Sequence, residues 1–257
     1  MKRPLIALIA ALLGGTPALA ADLYVEDPAP VVPVVASGGW YLRGHLGMSN
    51  QRLGSMHHEL MDDVEFHEFL DDGSFDSAPL AGVGVGYQFN DWLRLDGIVE
   101  YRGKADFSAL DRYGSTGPTG PVWDAPNDYD GAKSEWLLMA NAYVDIGDWY
   151  GVKPYVGAGI GASRNTISRF RDVNVATQGV AYGGEDSTWN FAWALHAGVA
   201  YQATERLAID FGYSYLDLGD AKTGNIRSYD DTVNTGPMHF DDITSHDFKL
   251  GMRYALQ

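Results

Sequence analysis

The feature that most constrains this chain is the run Trp189-Asn-Phe-Ala-Trp-Ala-Leu-His-Ala-Gly-Val-Ala-Tyr201, in which every second residue is apolar and several are very large. The residues between them (Asn190, Ala192, Ala194, His196, Gly198 and Ala200) are small or polar. Period two predicts a β-strand with one fatty face. The bulky face is too bulky for a narrow interior, whereas the small face would fit one. Aromatic residues stand at both ends, where a membrane-crossing strand places its interfacial girdles. Twelve steps of about 3.3 Å, tilted by about 40°, climb roughly 30 Å, the depth of a bilayer core. A lone strand would leave its N–H and C=O groups facing hydrocarbon, and only a closed barrel satisfies them.

The pattern recurs seven more times. Residues 40–49 set Trp40, Leu42, Leu46 and Met48 against Tyr41, Arg43, His45 and Ser49. Residues 80–89 set Val83, Val85, Tyr87 and Phe89 against Gly82, Gly84, Gly86 and Gln88, and Asn90-Asp91 then predicts a tight turn. Residues 92–102, 134–146, 154–163, 207–216 and 244–254 alternate in the same way, as does the opening segment over 189–202. The connections after the second, fourth and sixth segments are short (90–91, 147–153, 203–206), and the other four are long (51–77, 103–133, 164–187, 219–241). Strict alternation of short turns and long loops is the rule for outer-membrane barrels, with the turns and both termini periplasmic. The expected fold is therefore all-β, an eight-stranded antiparallel up-and-down transmembrane β-barrel. A soluble eight-stranded ligand carrier is the competing fold, and the lipid-facing belt of Trp, Tyr and Phe argues against it.

The ends and composition agree with export. Lys2 and Arg3, the apolar stretch 6–13 and Ala18-Leu19-Ala20 read as a signal peptide over 1–20. Its removal leaves 16 basic residues against 34 acidic ones, a formal charge of −18 in place of −16. A Pro-rich periplasmic leader is expected over 21–39, containing Asp27-Pro-Ala-Pro-Val-Val-Pro33, with the barrel over 40–257. The chain has no cysteine, so no disulfide framework is available. So acidic a chain is a poor partner for nucleic acid.

Alternation assigns Arg43, Arg94, Arg102, Lys249 and Arg253 to the interior with Asp96, Glu100, Glu135, Asp145, Asp210 and Asp247. Five basic and six acidic groups nearly cancel, and buried charges are tolerated when paired. Eight strands leave an interior that side chains just fill, so a salt-bridged lumen network is expected, with a narrow ion-conducting pore as the alternative. His196, the one ionisable inward residue of its strand, reads as part of that network.

The first long connection carries eight carboxylates (Glu59, Asp62, Asp63, Glu65, Glu68, Asp71, Asp72, Asp76) against Arg52 alone, with His57, His58 and His67. Carboxylates and imidazoles can take divalent cations, but no His-Glu-x-x-His is present, and a solvated acidic loop is the expectation, with no metal site. Catalysis has little to stand on. None of the seven histidines has serine two positions on, the pair that one class of lipid-modifying barrels needs. Ser214 beside Asp210 has no histidine near it in sequence. Neither enzymatic activity nor a cofactor is expected.

Several phrases, in order, carry a family resemblance: Gly39-Trp-Tyr-Leu-Arg-Gly44, Asn90-Asp-Trp-Leu-Arg-Leu-Asp96, Lys153-Pro-Tyr-Val-Gly-Ala-Gly-Ile-Gly161, Tyr213-Ser-Tyr-Leu-Asp-Leu-Gly219 and His246-Asp-Phe-Lys-Leu-Gly-Met-Arg-Tyr254. With these the chain resembles the small alphaproteobacterial outer-membrane β-barrel proteins, the "porin family" or OmpA-like transmembrane barrels. The resemblance implies the outer membrane of a Gram-negative bacterium and a structural or surface-interaction role supporting envelope integrity, with a narrow porin as the alternative. Implied partners are outer-membrane lipids and lipopolysaccharide, the barrel-assembly machinery during biogenesis, and a surface or host ligand through the loops. Members typically end on an aromatic residue, whereas here Ala255-Leu-Gln257 follows Tyr254.

Overall fold

A computed structural model describes residues 38–256. The expected signal peptide and residues 21–37 of the expected leader lie outside the described residues.

Eight long strands form the wall: β1 (Gly39–Arg52), β2 (Ala78–Gln88), β3 (Leu93–Gly117), β4 (Gly120–Asp145), β5 (Val152–Asn174), β6 (Asp186–Gln202), β7 (Leu207–Asp217) and β8 (Thr244–Ala255). Each pairs antiparallel with the next, and β8 closes the ring against β1, from Tyr41↔Ala255 to Arg52↔Thr244. No edge is left in the wall, which is what a bilayer demands of a β-structure. All eight expected strands are present with their facing as read from sequence.

Outside, Leu46, Val83, Ile160, Phe191, Phe211, Leu250 and Met252 are exposed, a fatty surface that only hydrocarbon would cover. Aromatic side chains bound it. Trp40, Tyr87 and Phe89 stack edge-on at the periplasmic rim, and Tyr101 packs on Trp136 at the other, with ring centroids 4.9 Å apart. The first periplasmic turn works through Asn90, whose Oδ1 accepts from the backbone N–H groups of Trp92 and Leu93 at 3.0 and 2.8 Å.

The long connections differ from the sequence reading, which gave them no periodic structure. Residues 103–133 continue β3 and β4 as one hairpin, closed where Gly117 pairs Gly120. Twenty-five residues of β3, tilted by about 40°, climb roughly 60 Å, about twice the bilayer core, so the hairpin stands well clear of the membrane. β5 likewise runs on to Asn174, and the first long connection contributes a strand, Phe66–Phe75, paired with β3. Short strands at Val180–Gly183, Ile226–Ser228 and His239–Asp241 complete an ordered extracellular crown.

The periodicity was hidden because the chain slips phase at the membrane surface. A bulge between Arg102 and Ala105 turns the alternation by one residue. Beyond it Ala105, Phe107 and Ala109 point inward, while Lys104, Asp106 and Ser108 face solvent. The outside is now water, so the polarity inverts. β5 makes the matching irregularity at Arg169, whose φ of 57° lies in the left-handed region.

Candidate functional site

Inward side chains from all eight strands fill the lumen in layers. Lowest, near the periplasmic rim, three guanidinium–carboxylate pairs form. Arg43 Nη1 lies 2.7 Å from Asp96 Oδ2, Arg94 Nε 3.1 Å from Asp145 Oδ1, and Arg253 Nε 2.8 Å from Asp210 Oδ2. Tyrosines fill the space around them. Arg43 donates to the Tyr143 hydroxyl at 2.9 Å, Tyr41 donates to Asp96, and the Arg94 guanidinium stacks between the rings of Tyr143 and Tyr155 at 4.5 and 4.7 Å.

Above this, Glu100 is the centre of a second layer. Its carboxylate meets His45 Nε2 at 2.6 Å, Lys249 Nζ at 2.7 Å and Arg102 Nη2 at 2.9 Å. Arg102 also reaches Asp247 at 2.7 Å and Glu135 at 3.4 Å. Close approach to β2 makes room for His45, since a Cβ on Gly82 would lie 2.5 Å from the imidazole ring. Beside this layer Ser214, His196 and Asn141 form a hydrogen-bonded chain, with His196 Nδ1 2.8 Å from Ser214 Oγ and Nε2 3.1 Å from Asn141 Oδ1. Ser214 has no histidine near it in sequence; strand register supplies one, because Ser214 pairs His196 across β7 and β6.

Lys133 was absent from the sequence-derived set because it fell inside a presumed loop. It is fully buried, donating to Glu135 Oε2 at 2.6 Å and Gln51 Oε1 at 2.8 Å. Its addition gives six basic groups against the six acidic ones. The available signal was the Gly131, Lys133, Glu135 alternation running out of β4.

An apolar roof covers the charges. Phe75, Phe107, Phe170 and Phe240, from the first connection, β3, β5 and the last connection, lie with centroids 5.1–6.2 Å apart. Leu216, Leu218, Met238 and Ile243 pack into the same cluster. All of these residues except Leu216, which ends the seventh expected strand, lie outside the strands expected from sequence. Within the acidic first connection, the three histidines go to separate partners: His57 to Asp62, His58 to the Gly236 carbonyl and His67 to Asp111. Glu65 bonds Thr116 and Glu68 pairs Arg112, so part of the loop's charge ties it to the tip of the β3–β4 hairpin.

The chain is similar to known proteins along most of its length. Residues 6–255 match the family model described as outer membrane protein beta-barrel domain. An uncharacterized protein of Brucella abortus (strain 2308) is 33% identical over 269 residues, covering 93% of each chain. An adhesin candidate of Rickettsia bellii (strain RML369-C) is 26% identical over 181 residues, 68% of each chain. Among solved structures, the outer membrane protease OmpT of Escherichia coli superposes with a TM-score of 0.50 at 9% identity, covering 85% of this chain and 96% of that one. That last likeness speaks to the fold alone.

Proposed function

The chain belongs to the outer membrane protein beta-barrel domain family, and on that footing we propose that it is a non-conducting, non-catalytic surface-interaction protein that presents its extracellular crown to a surface or host ligand. The observation that carries this reading is the crown itself. Ordering a loop residue costs about 1–2 kcal/mol of backbone entropy, so a rigid hairpin with its own phenylalanine core is sequence devoted to extracellular shape. The adhesin candidate of Rickettsia supports the same direction.

Closure of the lumen is supported by the paired charges and by the size of the void among Arg43, His45, Tyr143, His196 and Lys249. That void is about 20 Å³, room for one water and far short of an acyl substrate for the Ser214–His196 pair. A role in envelope integrity is consistent with a barrel that fills its interior with structure. The narrow-porin alternative is separated by planar-bilayer recording of the refolded full chain. No steady conductance is expected, and a stable unit conductance would overturn the closed-lumen reading. Binding to host cells or matrix should disappear when residues 104–131 are replaced by a short turn while heat-modifiable folding persists; binding that survives both that change and trimming of the other three loops would overturn the crown's role.

A further inference from the structure

The crown holds a half-open cavity of about 370 Å³, separate from the lumen network. Leu60, Met61, Val64, Ile226 and Met238 supply apolar walls, and two carboxylates, Asp111 and Asp172, face it from the β3 and β5 extensions. Pockets of this size and lining are what small molecules use. The two acids differ in their surroundings. Asp111 is 1% exposed and held by three groups: the backbone N–H of Asn127 at 3.0 Å, the Tyr129 hydroxyl at 2.9 Å and His67 Nε2 at 2.8 Å. The Asp172 carboxylate has neither a hydrogen-bond donor nor a basic side chain at ion-pair distance among the described residues. A half-buried carboxylate beside a second one, facing an apolar chamber, is an arrangement that folding alone disfavours, because both burial and like charge oppose ionisation.

We propose that this cavity binds a small amphiphilic cation, a primary ammonium or guanidinium group carried on an apolar body, with the charged head between Asp172 and Asp111. An anion would meet three carboxylates, Asp63 being the third on the lining. A neutral apolar molecule would bury Asp172 without compensation. A cation supplies the missing partner while its body takes the Leu60–Met61–Met238 wall.

The titratable groups on the cavity are His58, Asp63, His67, Asp111, Tyr113, Tyr129 and Asp172. Burial first, and then the charge of Asp111, pushes the Asp172 carboxyl up to about 7. A bound cation favours its ionised form, so binding displaces a proton below that pH and strengthens as pH rises from 6 to 8. Asp172→Asn is the variant that isolates this carboxyl's part in the pH dependence.

The test uses the full chain refolded in detergent micelles, with empty micelles subtracted, and titrates tryptamine against its neutral isostere tryptophol. Tryptamine should saturate one site at least tenfold more tightly than tryptophol at pH 8. That preference should weaken at pH 6 and fall at least tenfold in Asp172→Asn. Equal affinity for the two probes, or no saturable tryptamine binding, overturns the proposal. So does unchanged tryptamine affinity in a folded Asp172→Asn protein. The probe comparison needs no substitution, so it decides the matter even if the variant fails to fold. Neither outcome bears on what the crown docks against.

Discussion

Arg102 on β3 and Asp247 on β8 meet inside the barrel at 2.7 Å although 145 residues separate them in the chain. Both side chains are fully buried, and the guanidinium also serves Glu100 and Glu135. Arg102→Ala takes one cation from three buried carboxylates at once, leaving Lys249 to serve Glu100 and Asp247 and Lys133 to serve Glu135. It should destabilise the barrel by about 3–5 kcal/mol, read by denaturant unfolding in lipid vesicles through tryptophan fluorescence. Arg171→Ala breaks a comparably short pair with Asp130, but one that is half exposed, and should change stability by less than about 1 kcal/mol. Equal effects would mean that the lumen pairs are solvated.

Phe240→Ala tests the roof. The ring is fully buried and contacts Phe75, Phe107 and Phe170. Its loss should weaken crown packing by about 3–5 kcal/mol. The wall below is held by backbone pairing that the substitution does not touch. Limited proteolysis should therefore cut within the crown while the heat-modified gel shift of the folded barrel is retained.

Crown stability should depend on pH through Asp172. Its carboxyl is raised to about 7, mainly by burial, from an ordinary value near 4. Between those values the folded state holds a proton that the unfolded chain releases, so this group's contribution falls as pH rises from about 4 to 7. Hydrogen exchange of the β5 extension should be faster at pH 8 than at pH 5 beyond the intrinsic pH effect, and Asp172→Asn should remove the excess.

Exposure means different things at two heights. Leu250 is 60% exposed on the mid-wall of β8, and Leu250→Arg should cost about 2–4 kcal/mol of stability in a bilayer. Val175, 44% exposed at the end of the β5 extension, faces water, and Val175→Arg should stay within about 0.5 kcal/mol. The same unfolding titration in vesicles measures both.

The sequence by itself determined the eight-stranded wall and its facing, because a bilayer imposes one rule on every strand and a period of two exposes that rule directly. Tyr41, Arg43, His45 and Ser49 could be placed inside from alternation alone. Which charge meets which could not, since the partners of Glu100 arrive from β1, β3 and β8 and depend on the shear of the closed ring. The Ser214–His196 contact is likewise a product of register between β6 and β7. The crown was decided wholly by tertiary structure. Once the chain leaves the membrane at the bulge after Arg102, water replaces lipid outside and the apolar face must turn inward. A one-residue slip combined with an inversion of polarity cancels the signal that made Trp189 to Tyr201 so legible, and it placed Asp111 and Asp172 out of reach of the pattern.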